Sequence, residues 1–478
     1  MPTPFVVAID QGTSATKAYR LDAAGRFTPL NSIAHAQHYP HPGWVEHDAA
    51  ELLASVQACA ALAHGAVALG IDNQGETVLA WDAQTGEPVY NAIVWQDNRT
   101  QARIDALKSE HADLLTLQRA GLPLDAYFSA SKLAWILREV PQAKSLAGKG
   151  RLRLGTSDSF FLDRLCGVYA TDVTTASRTS LMNLETQQWD SELCRLFGVP
   201  PELLPEICPT VGSFGALHEG ALPVVASVVD QQAALFGHGC RRPGQVKITF
   251  GTGAFALAVA GAAPLGAPGS GLLPTVAWQI AGERCTFAID GGVYNATSAL
   301  DWAGRLGLFS EYAQIDRFPG PSAIERGLVF VPALSGLACP YWDRSAAGLW
   351  LGMGLDTSRE DMMQALLEGV ALRAAQALAA IGGCVALEGA VSIDGGLTRN
   401  DYFCRFLARA LDRAVSIPAT PELTGLGCAQ LAWIGAGLGD LPPTAAPLRT
   451  LEATPALDAS LTLRFADAVE RSRGWREP

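Results

Sequence analysis

At 478 residues the chain exceeds what one hydrophobic core organises, so two domains or more are expected. Hydrophobic residues make up 49% and charged residues 17%, which excludes a disordered chain. A net charge of -12 without any basic run disfavours a nucleic-acid partner. The 10 cysteines, none in a Cys-x-x-Cys pair, predict reduced core thiols in a cytoplasmic protein. The first residues carry neither the basic region nor the apolar stretch of a secretory signal.

The chain opens on an apolar run, Phe5 to Ile9, that ends in Asp10. A small polar turn, Gln11-Gly12-Thr13-Ser14, leads to a second strand-like run near Ala18 to Leu21. A like unit recurs halfway along, where Val246 to Phe250 enters Gly251-Thr252-Gly253 and Phe255 to Val259 follows. Two such units predict two related domains facing each other across a cleft. Ile248 to Gly282 carries no charge, but Pro264, Pro268 and Pro274 interrupt it, which predicts strands and a loop rather than a membrane span. Thr357 to Glu360 reads as a capping box before a long buried helix over 361–381. A short strand over 390–393 ends at Asp394-Gly395-Gly396, and a helix is predicted from Asp401 to about Leu411. The boundaries fall at 1–239, 240–440 and a tail, 441–478, rich in Pro, Thr and Ala.

Nucleotide phosphates need N–H donors, small residues that admit the backbone, and a few positive or metal-bearing groups. Asp10 to Lys17 offers all of these: Gly12 permits the turn, Thr13 and Ser14 supply hydroxyls, Lys17 adds charge, and Asp10 is placed to hold Mg²⁺ through water. Each glycine turn alone is more often an ordinary turn or hairpin than a phosphate site. Asp290-Gly291-Gly292 is a decoy for the later Asp-Gly-Gly, since only the latter is followed by Thr398, Arg399 and Asn400 and then a helix. The order of the three motifs is the specific signal.

Beyond these turns, Pro42 to Asp48, Asn91 to Gln96, Tyr127 to Trp135, Ala176 to Thr179, Val229 to Gly237 and Val331 to Asp343 resemble the FGGY carbohydrate kinases, and within them the glycerol kinases. The resemblance runs from about Val6 to about Gly439. It implies an α/β fold of two actin-like (ribonuclease H-like) domains closing on ATP, Mg²⁺ and a polyol, with a homodimer left open. It further implies Asp230 as the general base for a primary hydroxyl. Glu76, Tyr127 and Gln231 match hydroxyl ligands, and Trp95 and Phe255 match the apolar wall. Thr13, Ser14, Lys17 and Thr252 match the phosphate turns, and Gly395, Gly396 and Asn400 the adenosine end.

The chain departs from that pattern at Gly75, where glycerol kinases usually carry Arg, which removes a donor and vacates volume for a longer acceptor. Thr297 and Asp301 replace a usual Gly and Gln, and Gly215 to Leu222 lacks a Gly-Gly-Lys-Gly-Gly type of run. The competing readings are a tetritol or pentulose kinase and a non-enzymatic actin-like ATPase. A DNA-binding regulator is disfavoured, since no basic helix-turn-helix segment is visible.

Overall fold

A computed structural model describes residues 3–218, 221–266, 271–453 and 455–476. Its first sheet grows from β1 (Phe5–Gln11), whose Val6, Val7, Ala8 and Ile9 are wholly buried, as expected of a central strand covered on both faces. A hairpin turn, closed by Gly12 N–H donating to the Ala15 carbonyl at 3.0 Å, leads to β2 (Ala15–Asp22). The strand β3 (Phe27–Ala34) is exposed and contains Pro29, which suits an edge. After α1 (Ala49–Ala60) come β4 (Ala68–Asn73), α2 (Ser129–Glu139), β5 (Val224–Val229) and α3 (Asp230–Gly237). The sheet order is β5-β4-β1-β2-β3, with β4 parallel to both β1 and β5.

The second sheet repeats the plan. Here β6 (Val246–Phe250) forms a hairpin with β7 (Ala254–Gly261), followed by β8 (Leu273–Trp278) and β9 (Thr286–Val293). Then come α4 (Thr297–Arg305), α5 (Arg359–Gly382), β10 (Val391–Gly395), α6 (Asp401–Leu411), β11 (Val415–Ile417), α7 (Leu423–Gly435), β12 (Arg449–Leu451) and α8 (Ala459–Ser472). The order β8-β9-β7-β6-β10-β11-β12 contains the same core as the first sheet: a run of antiparallel strands, then parallel strands beside its first member. The two units legible in the sequence are therefore two hairpins that each seed a sheet.

The helix α5 is long and apolar enough to cross a membrane, but it is mostly buried against Phe250, Phe330, Ile393 and Phe403 in the second core. Its cap differs from expectation by one residue. Ser358 and Asp361 form the reciprocal box, because the partner must stand three residues beyond the N-cap. The tail is also structured, since Leu451, Leu461 and Phe465 join the second core. Charge-free Ile248 to Gly282 supplies the end of β6 and all of β7 and β8, although Pro268 lies outside the described residues. So do two positions of the Gly215 to Leu222 loop.

One helix ignores the chain's linear division. Almost wholly buried, α7 packs with α3 in a cluster that joins Val6, Ala8 and Val228 of the first sheet to Leu257, Val259 and Trp278 of the second. The apolar joint fixes α3, and with it the residue at its start, relative to both sheets.

Candidate functional site

Asp230 is the first residue of α3, where β5 hands the chain to a helix. Its Oδ1 accepts the Gln231 N–H at 2.7 Å. Burial pushes its pKa up to about 7, and the nearby Glu76 charge pushes the same way. A carboxylate poised near neutrality is suited to accept a proton from a hydroxyl.

Glu76 sits at φ 56, in the left-handed region, which aims its buried carboxyl at Arg178. Arg178 Nε donates to Glu76 Oε1 at 2.7 Å, and its Nη2 lies 3.3 Å from Asp290 Oδ2 on β9. Gln231 Oε1 accepts from Lys247 Nζ at 2.7 Å, so its amide NH₂ is the group left to meet a ligand. Lys247 itself is fully buried and also donates to Thr249 Oγ1 at 2.9 Å. Buried Lys132 on α2 donates to the carbonyls of Ala126 and Tyr127, fixing the loop that presents the Tyr127 ring. That ring meets Trp95 edge-on at 5.7 Å. Trp95 Nε1 in turn donates to Thr13 Oγ1 at 3.0 Å, tying the aromatic wall to the first turn.

Trp95, Tyr127, Thr252, Phe255, Arg178 and Asp290 line a cavity of about 430 Å³, within the range of small-molecule sites. Asp230 and Gln231 are not part of that wall, but the Asp230 charge acts on the Tyr127 hydroxyl and so lies within its electrostatic reach. A second cavity of about 490 Å³ is lined by Thr297, Tyr312, Asp316, Gly396, Arg399 and Asn400. Gly395, before it, holds φ 95 where a Cβ would stand 2.2 Å from the Phe250 carbonyl oxygen, so glycine is required there.

Some predicted residues have other partners. Asn400 caps α6 by accepting the Phe403 N–H at 2.7 Å and donates to the Ile315 carbonyl at 2.7 Å, so it shapes the second cavity by pinning its wall. Thr297 Oγ1 donates to the Gly251 carbonyl at 2.7 Å, coupling the second turn to α4, while Asp301 is exposed and outside the cavity lining. Lys17 Nζ pairs with Glu422 Oε2 at 2.9 Å, and Ser14 is exposed, its carbonyl accepting the His35 N–H at 3.2 Å. Asp10 stands beside Asp72 on β4, and burial raises the pKa of both carboxyls. The Asp72 oxygens are buried with no hydrogen-bond partner. Such a hard-oxygen pair suits Mg²⁺, whose remaining ligands would be water and phosphate, since the described residues hold no group of three metal-ligating side chains.

The residue roles missed from sequence are Arg178, Asp290, Lys132, Lys247, Tyr312 and Asp316. Arg178 and Lys132 lie inside the runs that carry the resemblance, and Asp290 opens the decoy Asp-Gly-Gly turn. Nothing local marks the others.

Two sheets of like plan, a buried carboxyl at a helix start and two cavities, one edged by glycine, match the layout of small-molecule phosphotransferases. The chain belongs to the FGGY family of carbohydrate kinases, whose N-terminal domain model matches residues 5–237 and whose C-terminal domain model matches 246–436. It is 40% identical to a glycerol kinase of Rhodospirillum centenum over 491 residues, covering 98% of each chain. It is likewise 40% identical to a glycerol kinase of Thermus brockianus, over 98% of this chain and 99% of that one. The crystal structure of Plasmodium falciparum glycerol kinase with ADP superposes with a TM-score of 0.90 at 28% identity, covering 98% of both chains.

Proposed function

We propose that the chain transfers the terminal phosphoryl group of ATP to a primary hydroxyl of glycerol or a similar small polyol. The observation that carries this reading is the buried carboxyl of Asp230 at a helix start, held near neutral pKa, whose charge reaches Tyr127 in the wall of the cavity of about 430 Å³. In that reading residues 1–239 supply the base and most acceptor contacts, and 240–440 supply the nucleotide pocket. The named relatives, glycerol kinases over nearly their full length, support it.

The acceptor oxygen attacks the terminal phosphorus as the bond from phosphorus to the bridging oxygen breaks, and that electron pair leaves with ADP. Asp230 takes the hydroxyl proton. Because phosphoryl transfer passes through a loose transition state, alignment and charge neutralisation carry most of the rate gain. Gln231 and Glu76 orient the acceptor's other hydroxyls, and Trp95, Tyr127 and Phe255 exclude water from its carbons. Thr13, Ser14 and Thr252 face the phosphates from the two turns, and Lys17 adds charge. Gly395, Gly396 and Asn400 frame the adenosine end. Asp10 and Asp72 would hold Mg²⁺, which when bound neutralises phosphate charge.

The test is ADP release with ATP and Mg²⁺ over a panel of glycerol, erythritol, xylulose and ribulose. The expected result is acceptor-dependent ADP formation matched by phosphorylated product. ADP release that no alcohol stimulates, accompanied by nucleotide-dependent sedimentation, would instead establish a non-enzymatic actin-like ATPase.

A further inference from the structure

Three carboxylates act on the Lys17 ammonium, and it pairs with the one most distant in sequence. Lys17 stands on β2 directly opposite Asp10 of β1, and Asp10 is in register with Asp72 of β4. The three side chains therefore form a row across one face of the first sheet. Opposed Cβ atoms in such a pair lie about 5 Å apart, well within the span of a flexible lysine stem. Yet Lys17 Nζ turns away from the row to Glu422 Oε2 at 2.9 Å, and among the described residues no ion pair joins it to Asp10 or Asp72. The Asp72 oxygens stay buried without a hydrogen-bond partner.

Glu422 is itself fixed in place. It stands at the N-cap of α7, the helix that joins both sheets. The oxygen that takes Lys17 also accepts the Tyr19 hydroxyl at 2.6 Å, and the buried Tyr19 ring is stacked on Phe27 at 4.8 Å. The Lys17 and Glu422 side chains are 34% and 37% exposed, and an ion pair that open to water adds little to stability. What it does decide is where the ammonium rests. Burial works against the charge, but Glu422, Asp10 and Asp72 outweigh it and hold the Lys17 pKa above the ordinary lysine value. Lys17 is thus a permanent cation, and on the aspartate row it would repel a divalent ion.

We propose that Glu422 is a positioning residue that keeps the Lys17 ammonium off Asp10 and Asp72, so that the aspartate pair stays open to Mg²⁺. This rests on the reading of Asp10 and Asp72 as the Mg²⁺ carboxylates. Without the Glu422 charge, the anions left to Lys17 are the two aspartates of its own row. The ammonium then settles there as an internal counter-ion, and Mg²⁺ has to displace it.

The test is a calorimetric titration of Mg²⁺ into the nucleotide-free protein, with Tm as the folding control. The proteins compared are the wild type, Glu422→Gln, Lys17→Met, the double variant and Asp72→Asn. Glu422→Gln is expected to keep its Tm and to bind Mg²⁺ about tenfold more weakly. In the Lys17→Met background no ammonium is left to move, so the same change is expected to weaken binding by at most about threefold. An equal loss in both backgrounds would mean that Glu422 acts on the metal directly, and would overturn the proposal. Wild-type affinity in Glu422→Gln would overturn it too, marking the ion pair as structural only. The metal reading fails separately: it is refuted if the wild type binds no Mg²⁺ or if Asp72→Asn binds as the wild type does, and the proposal falls with it. Loss of binding in Asp72→Asn alongside intact binding in Glu422→Gln refutes only the positioning role.

Discussion

At the scale of single residues, the site is a set of ionisable groups whose charges are set by burial. Asp230 titrates at about 7 because burial disfavours its anion and Glu76 adds like charge. A base works only when deprotonated, so kcat/KM is expected to fall about tenfold per pH unit below that midpoint and to level off above it. Replacing Glu76 by Gln removes a charge that raises the pKa, so the acid limb should move to lower pH. A limb that stays in place when the profile of Glu76→Gln is recorded would show that another group titrates. Asp230 itself was legible in the sequence, because Val229 to Gly237 carries a specific run. The buried cations were not legible as actors. Lys247, Lys132 and Arg178 gain their roles from partners 16, 5 and 102 residues away, and only Lys132 reaches its partner within one local segment.

At the scale of elements, alternation and turn chemistry located β1, β2, β6, β7, β10, α5 and α6 within a few residues. The short turn Tyr312–Ile315, which walls the second cavity, gave no such sign, because its Glu311 and Gln314 cap resembles any polar loop. Neither did the destination of α7. The element that a helix packs against is a tertiary matter that its composition does not mark. The contact with α3 is set by glycines: a Cβ on Gly427 would stand 1.8 Å from the Ala233 carbonyl oxygen, and one on Gly237 2.0 Å from that of Leu423. Gly427→Ala is therefore expected to cost roughly 1–3 kcal/mol by overpacking, read as a lower Tm. It should also reduce kcat, since α3 begins with Asp230. Gly148→Ala, where a Cβ meets nothing within 4 Å, is the matched control and should leave both unchanged. Equal Tm values for the two variants would mean that the helix crossing tolerates expansion.

At the scale of the whole molecule, two sheets of like topology share a central apolar cluster, and the proposed reaction draws on both. The sequence revealed the duplication through its two glycine turns, but not the joint, because α7 and the first sheet are separated by most of the chain. That arrangement has a direct consequence. Asp230 begins α3 next to the first sheet, whereas the second cavity, proposed for adenosine, is walled by α4, the turn after β10 and the start of α6. Removing the base should leave nucleotide binding intact. The decisive measurement is therefore kcat together with ADP affinity for Asp230→Asn. A loss of about 10² to 10⁴ in kcat with ADP affinity unchanged is expected. Turnover close to that of the wild type would contradict it.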